Sequence, residues 1–252
     1  MKSTALFVAV FVATFSVGGL GFVIFDEIQN EPYAHAALVN TEQVIFDSTV
    51  KIEVDGGHGT ATIGIWDGKV LAVTAGHVIR FGERGKLRME RGGVTYLLDT
   101  TCIARDDEND VSICNVENPP PFPYPSLDPV TDNLVAGEEA MQCGYPLCFQ
   151  KVLDKVRVLN GGHLGEPNSP WRRAPVFYVN GVGAPGSSGS AVWVLRGGFL
   201  RDYRLAGIHV GGYGPGYSHT PKVCIQASVI RAVLVRATNP QPIVLYIRPQ
   251  GR

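Results

Sequence analysis

The chain has 252 residues, of which 45% are hydrophobic and 18% charged, so it can bury a substantial core as one large all-β unit or as two small domains. Its formal net charge of −1 at pH 7 provides no general attraction to nucleic acid or to an anionic membrane surface. The five cysteines show no metal-ligand spacing, and their odd number argues against a disulfide framework without excluding one bridge.

The N-terminal segment at residues 5–25 contains no charged residue. Its 21 residues are about the length that crosses a bilayer core as a helix. Lys2 precedes it and Asp26 follows it, which favours an extracytoplasmic location for the rest of the chain. A cleaved signal peptide is the alternative, because residues 33–36 (YAHA) resemble a cleavage site. That site lies well beyond the apolar segment, which is itself longer than the usual signal core of about 7–15 residues. We therefore expect a retained single-pass anchor, with secretion as the second possibility.

Short runs with β character occupy two stretches of the chain, residues 47–118 and 134–237. Glycine or charged turns separate these runs, a pattern that is typical of β-sandwiches and barrels. The predicted strands lie at residues 48–54, 59–66, 69–79, 86–90, 94–98 and 110–116 in the first stretch, and at 139–146, 150–160, 175–180, 190–195, 203–210 and 222–227 in the second. Because no helix alternates with these strands, an α/β sheet is disfavoured.

Other segments complete the predicted domain organisation. Residues 1–46 form the membrane anchor and a polar, irregular linker that begins at residue 26. Six of the eleven residues at 119–129 are proline, so residues 119–133 are predicted to be a stiff, extended linker between the two β units. Apolar residues at helical spacing predict a helix over 228–237, and residues 238–252 form a C-terminal tail.

The stretch GVGAPGSSGSAVWVL, residues 181–195, places three serines in a glycine-rich segment directly before an apolar run. A Gly/Ser turn that leads into a core strand would have the same composition. Glycines also allow a backbone to approach a substrate closely and to point its N–H groups into a pocket. A serine held there could be a nucleophile, provided that the chain also supplies a base and a group that orients the base.

Two earlier segments supply candidates for those partners. His77 lies in AVTAGHVI, after a buried-looking strand and a small turn, although a strand-end histidine without a role would look the same. Asp110 opens the apolar strand DVSICNV and could hold the second nitrogen of the imidazole. Asp106 and Asp107 are alternatives, but their acidic loop favours a solvated role.

The order His77, Asp110, Ser188 along the chain is that of chymotrypsin and differs from the orders of subtilisin and of the α/β-hydrolases. The segments TAGHV, NDVSIC and GSSGS resemble the three catalytic motifs of chymotrypsin-like serine proteases, and the similarity covers residues 45–237. This resemblance implies an all-β fold of two six-stranded antiparallel β-barrels with a C-terminal helix. One N-terminal transmembrane helix would precede it here.

The same resemblance implies roles for individual residues. Ser188 would be the nucleophile, His77 the base and Asp110 the orienting acid, while the N–H groups of Gly186 and Ser188 would bind the oxyanion. Ser188 fits better than its two neighbouring serines because Gly186 lies two places before it and a glycine follows it directly. Ser187 stands where many relatives carry the aspartate that receives a newly cut N-terminus, so activation by that salt bridge is not expected.

A finer resemblance lies downstream. AGIHVGGYGPGYSH, residues 206–219, is similar to the substrate-binding strand of the 3C-like proteases of positive-strand RNA viruses and of the bacterial glutamyl endopeptidases. It implies that His209, with Gly183, Gly211 and Gly212, lines the S1 pocket and hydrogen-bonds a Gln or Glu at P1, the residue before the scissile bond. A neutral imidazole suits glutamine and a protonated one suits glutamate. Both groups usually carry threonine where this chain has Gly183, so discrimination at P1 stays open.

Taken together, the sequence predicts a serine endopeptidase that cleaves after Gln or Glu, as a membrane-anchored, polyprotein-processing viral protease. Its partners would be a polypeptide substrate, its own polyprotein being one candidate, and a membrane through residues 5–25. We expect no metal, no cofactor and no nucleic-acid partner. A secreted or surface glutamyl endopeptidase of cellular origin is the alternative within the enzyme class. An inactive protease-like binding module is the alternative from another class.

Overall fold

The structure is a computed structural model that describes residues 41–130, 134–165, 170–171, 173–181, 183–196, 202–212 and 221–239. Among these residues there is no helix whose length and apolar character would suit a membrane span. The predicted anchor at residues 5–25 and nearly all of the predicted C-terminal tail lie outside the described residues, so both stay predictions.

The first β unit is a closed barrel of six antiparallel strands. The strands are β1 (Thr49–Val54), β2 (Gly57–Trp66), β3 (Lys69–Ala75), β4 (Arg84–Arg91), β5 (Val94–Asp106) and β6 (Val111–Val116). They are arranged in the order β1-β2-β3-β6-β5-β4, and pairing of β4 with β1 closes the barrel. In β4, Leu87 and Met89 are buried while Arg88 between them is exposed, as expected for a strand with one face in the barrel interior.

The second β unit is another closed barrel of six antiparallel strands. The strands are β7 (Glu139–Gly144), β8 (Val152–Leu164), β9 (Pro175–Val179), β10 (Ala191–Arg196), β11 (Asp202–Gly212) and β12 (Lys222–Gln226). They follow the order β10-β11-β12-β9-β8-β7, and β7 pairs with β10. The predictions of two six-stranded antiparallel barrels and a C-terminal helix are therefore confirmed.

In the described part of the chain, two α-helices flank the barrels. Residues 41–48 form helix α1, so the prediction of an irregular linker is wrong for the end of that segment. The helix is held in place because Ile45 is fully buried and Lys151 Nζ donates a 2.8 Å hydrogen bond to the Phe46 carbonyl near the helix C-terminus. Helix α2 (Ala227–Thr238) buries Val229, Ile230, Val233 and Leu234 and contacts strands of both barrels.

The proline-rich segment between the barrels packs against both of them where the structure describes it. Ile65 of β2 donates its N–H to the Pro125 carbonyl (2.9 Å) and accepts a hydrogen bond from the Leu127 N–H (2.9 Å). The Leu127 side chain is fully buried. Val130 donates to the Leu205 carbonyl of β11 (2.9 Å), so the segment is bonded to both barrels and helps to fix their relative positions.

Candidate active site

The turn after β3 presents His77 to solvent. The His77 side chain is 48% exposed, whereas Val78 and Ile79 beside it are buried in the first barrel. Gly76 permits the close approach of this turn to the start of β6, because a Cβ at that position would lie 2.9 Å from the carbonyl carbon of Asp110. The Gly76 N–H also donates to the Asp110 carbonyl at 2.8 Å. These backbone contacts alone hold the turn that carries His77 against Asp110.

His77 and Asp110 form a two-point contact. The His77 Nδ1 lies 2.8 Å from Asp110 Oδ2, and the His77 backbone N–H donates to Asp110 Oδ1 at 2.7 Å. Burial alone would raise the pKa of Asp110, but the hydrogen bonds and charge of His77 hold the pKa of this carboxyl below its ordinary value. Asp110 is consequently ionised at neutral pH. Because its carboxylate contacts Nδ1 of His77, the other ring nitrogen, Nε2, is available to another group.

Trp171, from the loop between β8 and β9, also reaches Asp110. Its indole Nε1 donates to Asp110 Oδ2 at 3.2 Å, and this contact joins the second barrel to an acid on the first. The ring also lies over Gly211 of β11, where a Cβ would be 2.3 Å from Trp171 Cη2. Trp171 was not predicted as a site residue, because no sequence feature near it indicates a partner 61 positions away.

The three serines of the glycine-rich turn differ in accessibility. Ser187 and Ser190 are 1% and 0% exposed, whereas Ser188 is only half-buried. The Ser187 hydroxyl accepts a 3.3 Å hydrogen bond from the Ala184 N–H. Within the described part of the chain, the buried Ser190 hydroxyl has no hydrogen-bond partner. Ser188 is therefore the serine whose side chain a substrate can reach.

Contacts across the two barrels place the Ser188 turn beside the His77 turn. The Ser188 carbonyl accepts a 2.8 Å hydrogen bond from the Thr60 N–H of β2. Gly59 lies between the two turns, since a Cβ there would be 2.8 Å from Val78 Cγ2 and 3.1 Å from the Ser188 carbonyl oxygen. Because Val78 directly follows His77, the structure brings the backbone of Ser188 against the turn that carries His77 and Asp110.

The Ser188 turn also has the backbone conformation that an anion site requires. Gly186 (φ +92°) and Gly189 (φ +90°) adopt left-handed conformations that favour glycine. The Gly186 carbonyl accepts a 2.7 Å hydrogen bond from the Thr60 hydroxyl. Across the described residues, neither the Gly186 nor the Ser188 N–H donates to a protein acceptor. These two N–H groups are suited to binding the negative oxygen of a tetrahedral intermediate.

The predicted substrate-pocket residues come together around β11. His209 is buried, with Nδ1 3.2 Å from the Ser187 carbonyl oxygen and Nε2 2.8 Å from that of Gly211. Burial lowers the pKa of His209 to about 4, and the nearby charge of Lys222 acts in the same direction. The ring is therefore neutral at pH 7, and its two nitrogens already face backbone acceptors.

Lys222 of β12, which was not predicted, lies among the predicted pocket residues. A Cβ on Gly183 would lie 2.6 Å from Lys222 Cδ and 3.1 Å from His209 Cε1. A Cβ on Gly212 would be 3.6 Å from Lys222 Nζ. The predicted pocket residues Gly183, His209 and Gly212 thus surround the Lys222 side chain, while Gly211 lies under Trp171. Among the described residues no group of acidic, histidine or cysteine side chains could hold a metal ion.

Comparison with known proteins agrees with this geometry. The trypsin-like peptidase domain family matches residues 59–200. No curated protein sequence matches the chain. The Rv3671c protease of M. tuberculosis H37Rv, solved as an inactive serine-to-alanine mutant, is 18% identical with a TM-score of 0.61, and the match covers 81% of this chain and 92% of that one. The HtrA-type protease AlgW, solved with a tripeptide, is 14% identical with a TM-score of 0.64.

The match to AlgW covers 81% of this chain and 64% of AlgW, so this chain corresponds to about two thirds of that protein. At such low identities the two structures establish the chymotrypsin-like fold alone. The family match is broader evidence, since it covers more than half of the sequence and includes the segments that carry His77, Asp110 and Ser188. The chain therefore belongs to the trypsin-like peptidase domain family and is a serine protease.

Proposed function

We propose that the chain is an endopeptidase in which Ser188 is the nucleophile, His77 the general base and Asp110 the residue that orients the imidazole. The observation that carries this proposal is the two-point contact between His77 and an ionised Asp110, beside the turn that leaves Ser188 accessible. The Asp110 carboxylate accepts the Nδ1 proton of His77, and this tautomer leaves Nε2 unprotonated and able to accept a proton.

The reaction then proceeds in two halves. Ser188 Oγ bonds to the scissile carbonyl carbon as its proton passes to His77 Nε2, and the resulting oxyanion accepts hydrogen bonds from the Gly186 and Ser188 N–H groups. When the C–N bond breaks, the leaving amine takes the proton from His77. A water molecule then attacks the acyl carbon, His77 accepts its proton, and return of that proton to Ser188 Oγ releases the carboxylic acid product.

For specificity, we propose cleavage after Gln or Glu. His209, Gly183 and Gly212 lie together on the side of the nucleophile turn where β11 passes, which supports a P1 pocket in this position. We also propose that the chain is a viral, polyprotein-processing protease that is anchored in a membrane through residues 5–25. The uncharged length of that segment and the resemblance of residues 206–219 to 3C-like proteases support it. A secreted or surface glutamyl endopeptidase of cellular origin is the second candidate, favoured by the same P1 residues.

A fluorophosphonate probe, which labels activated serines, tests the catalytic assignment on the full-length chain. Peptide mapping should find the label on Ser188, and Ser188→Ala should lower kcat on a casein substrate by on the order of 10⁶-fold. Ser190→Ala is the matched control, because the Ser190 hydroxyl is buried and has no partner among the described residues. This control should keep both its labelling and its activity. A label on another serine, or a Ser188→Ala enzyme that still cleaves at the wild-type rate, would contradict the assignment. An inactive binding module would show neither label nor cleavage.

A further inference from the structure

Two of the five cysteines face each other across a strand pair. Cys102 of β5 and Cys114 of β6 are register partners, and these residues are 1% and 0% exposed. Residues that stand directly opposite on antiparallel strands project to the same face of the sheet. The other cysteines have different surroundings: Cys143 pairs with Leu153 and Ala191, Cys224 pairs with Phe177 and His209, and Cys148 lies in the short turn after β7.

The backbone hydrogen bonds show which kind of pair Cys102 and Cys114 form. The Cys102 N–H donates to the Glu83 carbonyl at 3.0 Å, and the Cys102 carbonyl accepts from the Gly82 N–H at 2.9 Å. Both backbone groups of Cys102 are therefore directed away from β6, which makes this a non-hydrogen-bonded pair. In such pairs the Cα atoms are about 4.5 Å apart and the side chains are closest. A disulfide requires a Cα separation of about 4.4–6.8 Å, so the strand geometry permits one here.

The two side chains already contact each other. In the structure both residues are free thiols, and the Cys114 side chain is hydrogen-bonded to the sulfur of Cys102. This hydrogen bond holds the pKa of Cys102 below its ordinary value, although burial opposes the shift. The same bond, together with burial, raises the pKa of Cys114. Cys102 is therefore the thiol of the pair that more readily forms a thiolate, which is the attacking species in thiol–disulfide exchange.

We propose that Cys102 and Cys114 are an oxidative modification site and that they form a cross-strand disulfide between β5 and β6. The oxidant is a low-molecular-weight disulfide of the glutathione class. The Cys102 thiolate attacks one sulfur of that molecule and forms a mixed disulfide, and the small thiol that is released takes up the proton that Cys102 has lost. The Cys114 sulfur then attacks the Cys102 sulfur, and its proton leaves with the second small thiol. Two protein thiols are thus oxidised to one bridge, while one small disulfide is reduced to two thiols.

The bridge acts on the segment that carries Asp110. The turn at residues 107–110 joins β5 to β6, so a bond between Cys102 and Cys114 closes this turn into a covalent loop. Such a loop limits the freedom of the unfolded chain and thereby stabilises the folded one. Because both side chains are buried in the folded barrel, the bridge forms as the chain folds, while an oxidant still reaches Cys102. The two locations predicted for this protease, extracytoplasmic and secreted, are those in which disulfides form and persist.

Disulfide mapping of the full-length chain tests the bridge directly. The chain is folded in a detergent buffer in which glutathione is mostly oxidised, its free thiols are alkylated, and it is digested with trypsin and a glutamate-specific protease. Cleavage after Arg105, Glu108 and Glu117 places the two cysteines in separate peptides, 92–105 and 109–117, each with a single cysteine. We expect these two peptides to be joined and to separate on reduction. A chain folded in reduced glutathione should instead give both peptides alkylated.

Thermal unfolding of the oxidised and reduced forms measures the effect on stability. The oxidised wild type should have a Tm about 5–10 °C above that of the reduced wild type. Cys102→Ala and Cys114→Ala should each abolish this difference. Cys143→Ala is the matched control, because Cys143 is equally buried but has no cysteine opposite it in the described strands, so the difference in Tm should persist.

Each outcome bears on the bridge and not on the catalytic assignment. Alkylated thiols at both positions in the oxidised wild type would overturn the inference, as would a bond from either residue to another cysteine. A bridge between Cys102 and Cys114 that leaves the Tm unchanged or lowers it would refute the stabilising role. If a variant does not fold, the wild-type mapping and the two wild-type Tm values decide the question alone. None of these results depends on Ser188, whose labelling tests the proposed function separately.

Discussion

Asp110 accepts hydrogen bonds from three donors that come from two barrels. The backbone N–H of His77 binds Oδ1, while the imidazole and the Trp171 indole both bind Oδ2. Such donors stabilise the charged form of a carboxyl group, and the pKa of Asp110 is below its ordinary value although burial opposes this. The carboxylate of Asp110, the proposed catalytic acid, is therefore fixed in direction and in charge, partly by a residue of the second barrel.

Replacing Trp171 with phenylalanine should show how much the indole N–H contributes to holding Asp110 in place. Trp171→Phe keeps an aromatic ring near Gly211 but removes the N–H, so kcat should fall by about tenfold with little change in KM. That loss should be much smaller than the roughly 10⁴-fold expected for Asp110→Asn, which can favour the wrong histidine tautomer. Both losses of kcat are measured on enzyme whose active concentration has been titrated with a fluorophosphonate. Trp66→Phe in β2, remote from these contacts, is the matched control.

Acid unfolding adds a readout that a purely steric role for Trp171 would not affect. Because the folded pKa of Asp110 is lowered, its ionised form stabilises the fold at neutral pH, and this contribution is lost as pH falls through the folded pKa. Removal of the Trp171 donor should raise that pKa. The difference in unfolding free energy between wild type and Trp171→Phe should therefore be largest near pH 7 and shrink on acidification. A difference that does not vary with pH would contradict the positioning role.

The sequence predicts site residues where recognisable motifs occur and gives no sign of residues whose contacts form only on folding. His77 follows the end of β3, while Asp110 and Ser188 precede the starts of β6 and β10, each in a short motif segment. The structure brings these three segments together. Trp171 and Lys222 have no such signature. A tryptophan in a loop and a lysine at the start of a strand are both ordinary features, and only the folded contacts with Asp110, Gly183 and Gly212 distinguish them.

At the scale of elements, β2 connects the two halves of the site. The hydroxyl of Thr60 donates to the Gly186 carbonyl (2.7 Å) and accepts from the Tyr145 N–H (3.0 Å). Its N–H binds the Ser188 carbonyl at 2.8 Å, and its own carbonyl accepts the Thr74 hydroxyl of β3 at 2.7 Å. A single strand residue thus contacts the turn at both Gly186 and Ser188, the residues proposed to bind the oxyanion.

Thr60→Val and Thr62→Val form a matched pair, because the two threonines are two residues apart on one face of β2 and both are fully buried. Thr60→Val leaves the Gly186 carbonyl and the Tyr145 N–H without their partner, so it should cost about 1–3 kcal/mol of stability and lower kcat by loosening the turn. Thr62→Val should be neutral or stabilising, because within the described chain its hydroxyl has no partner. Urea unfolding and kinetics on enzyme of known active concentration compare the free energy of unfolding and kcat of the two variants. Equal changes in both variants would contradict the special role of Thr60.

Strand positions followed closely from the alternation of apolar residues, whereas strand ends did not. The prediction carried β3 to residue 79, but the strand ends at Ala75 because the Gly76 N–H binds the Asp110 carbonyl. The prediction ended β5 at residue 98, yet the strand continues to Asp106 through an irregularity between Cys102 and Ala104. Both differences reflect pairing with β6, a partner that local sequence does not reveal.

At the scale of the whole molecule, the barrels are joined at several separate places. The described part of the proline-rich segment bonds to both of them, α2 contacts strands of both, and Thr60 links β2 to the nucleophile turn. Composition predicted the linker and periodicity predicted α2, but neither predicted that these segments hold the barrels together. Helix α1 was missed because contacts with Lys151 and burial of Ile45 stabilise it more than the local sequence of residues 41–48 does.

The membrane role of residues 5–25 remains a prediction. Twenty-one uncharged residues in a helix extend about 30 Å, which matches the hydrocarbon core of a bilayer. The full-length chain expressed in cells should therefore stay in membranes after a carbonate wash. The double variant Val12→Arg with Phe15→Arg should be released, because each arginine near the middle of a span costs about 2.5–3.5 kcal/mol on insertion scales. Release of the intact wild-type chain would contradict the anchor. A mature N-terminus near Ala37 would instead identify a signal peptide and a secreted enzyme.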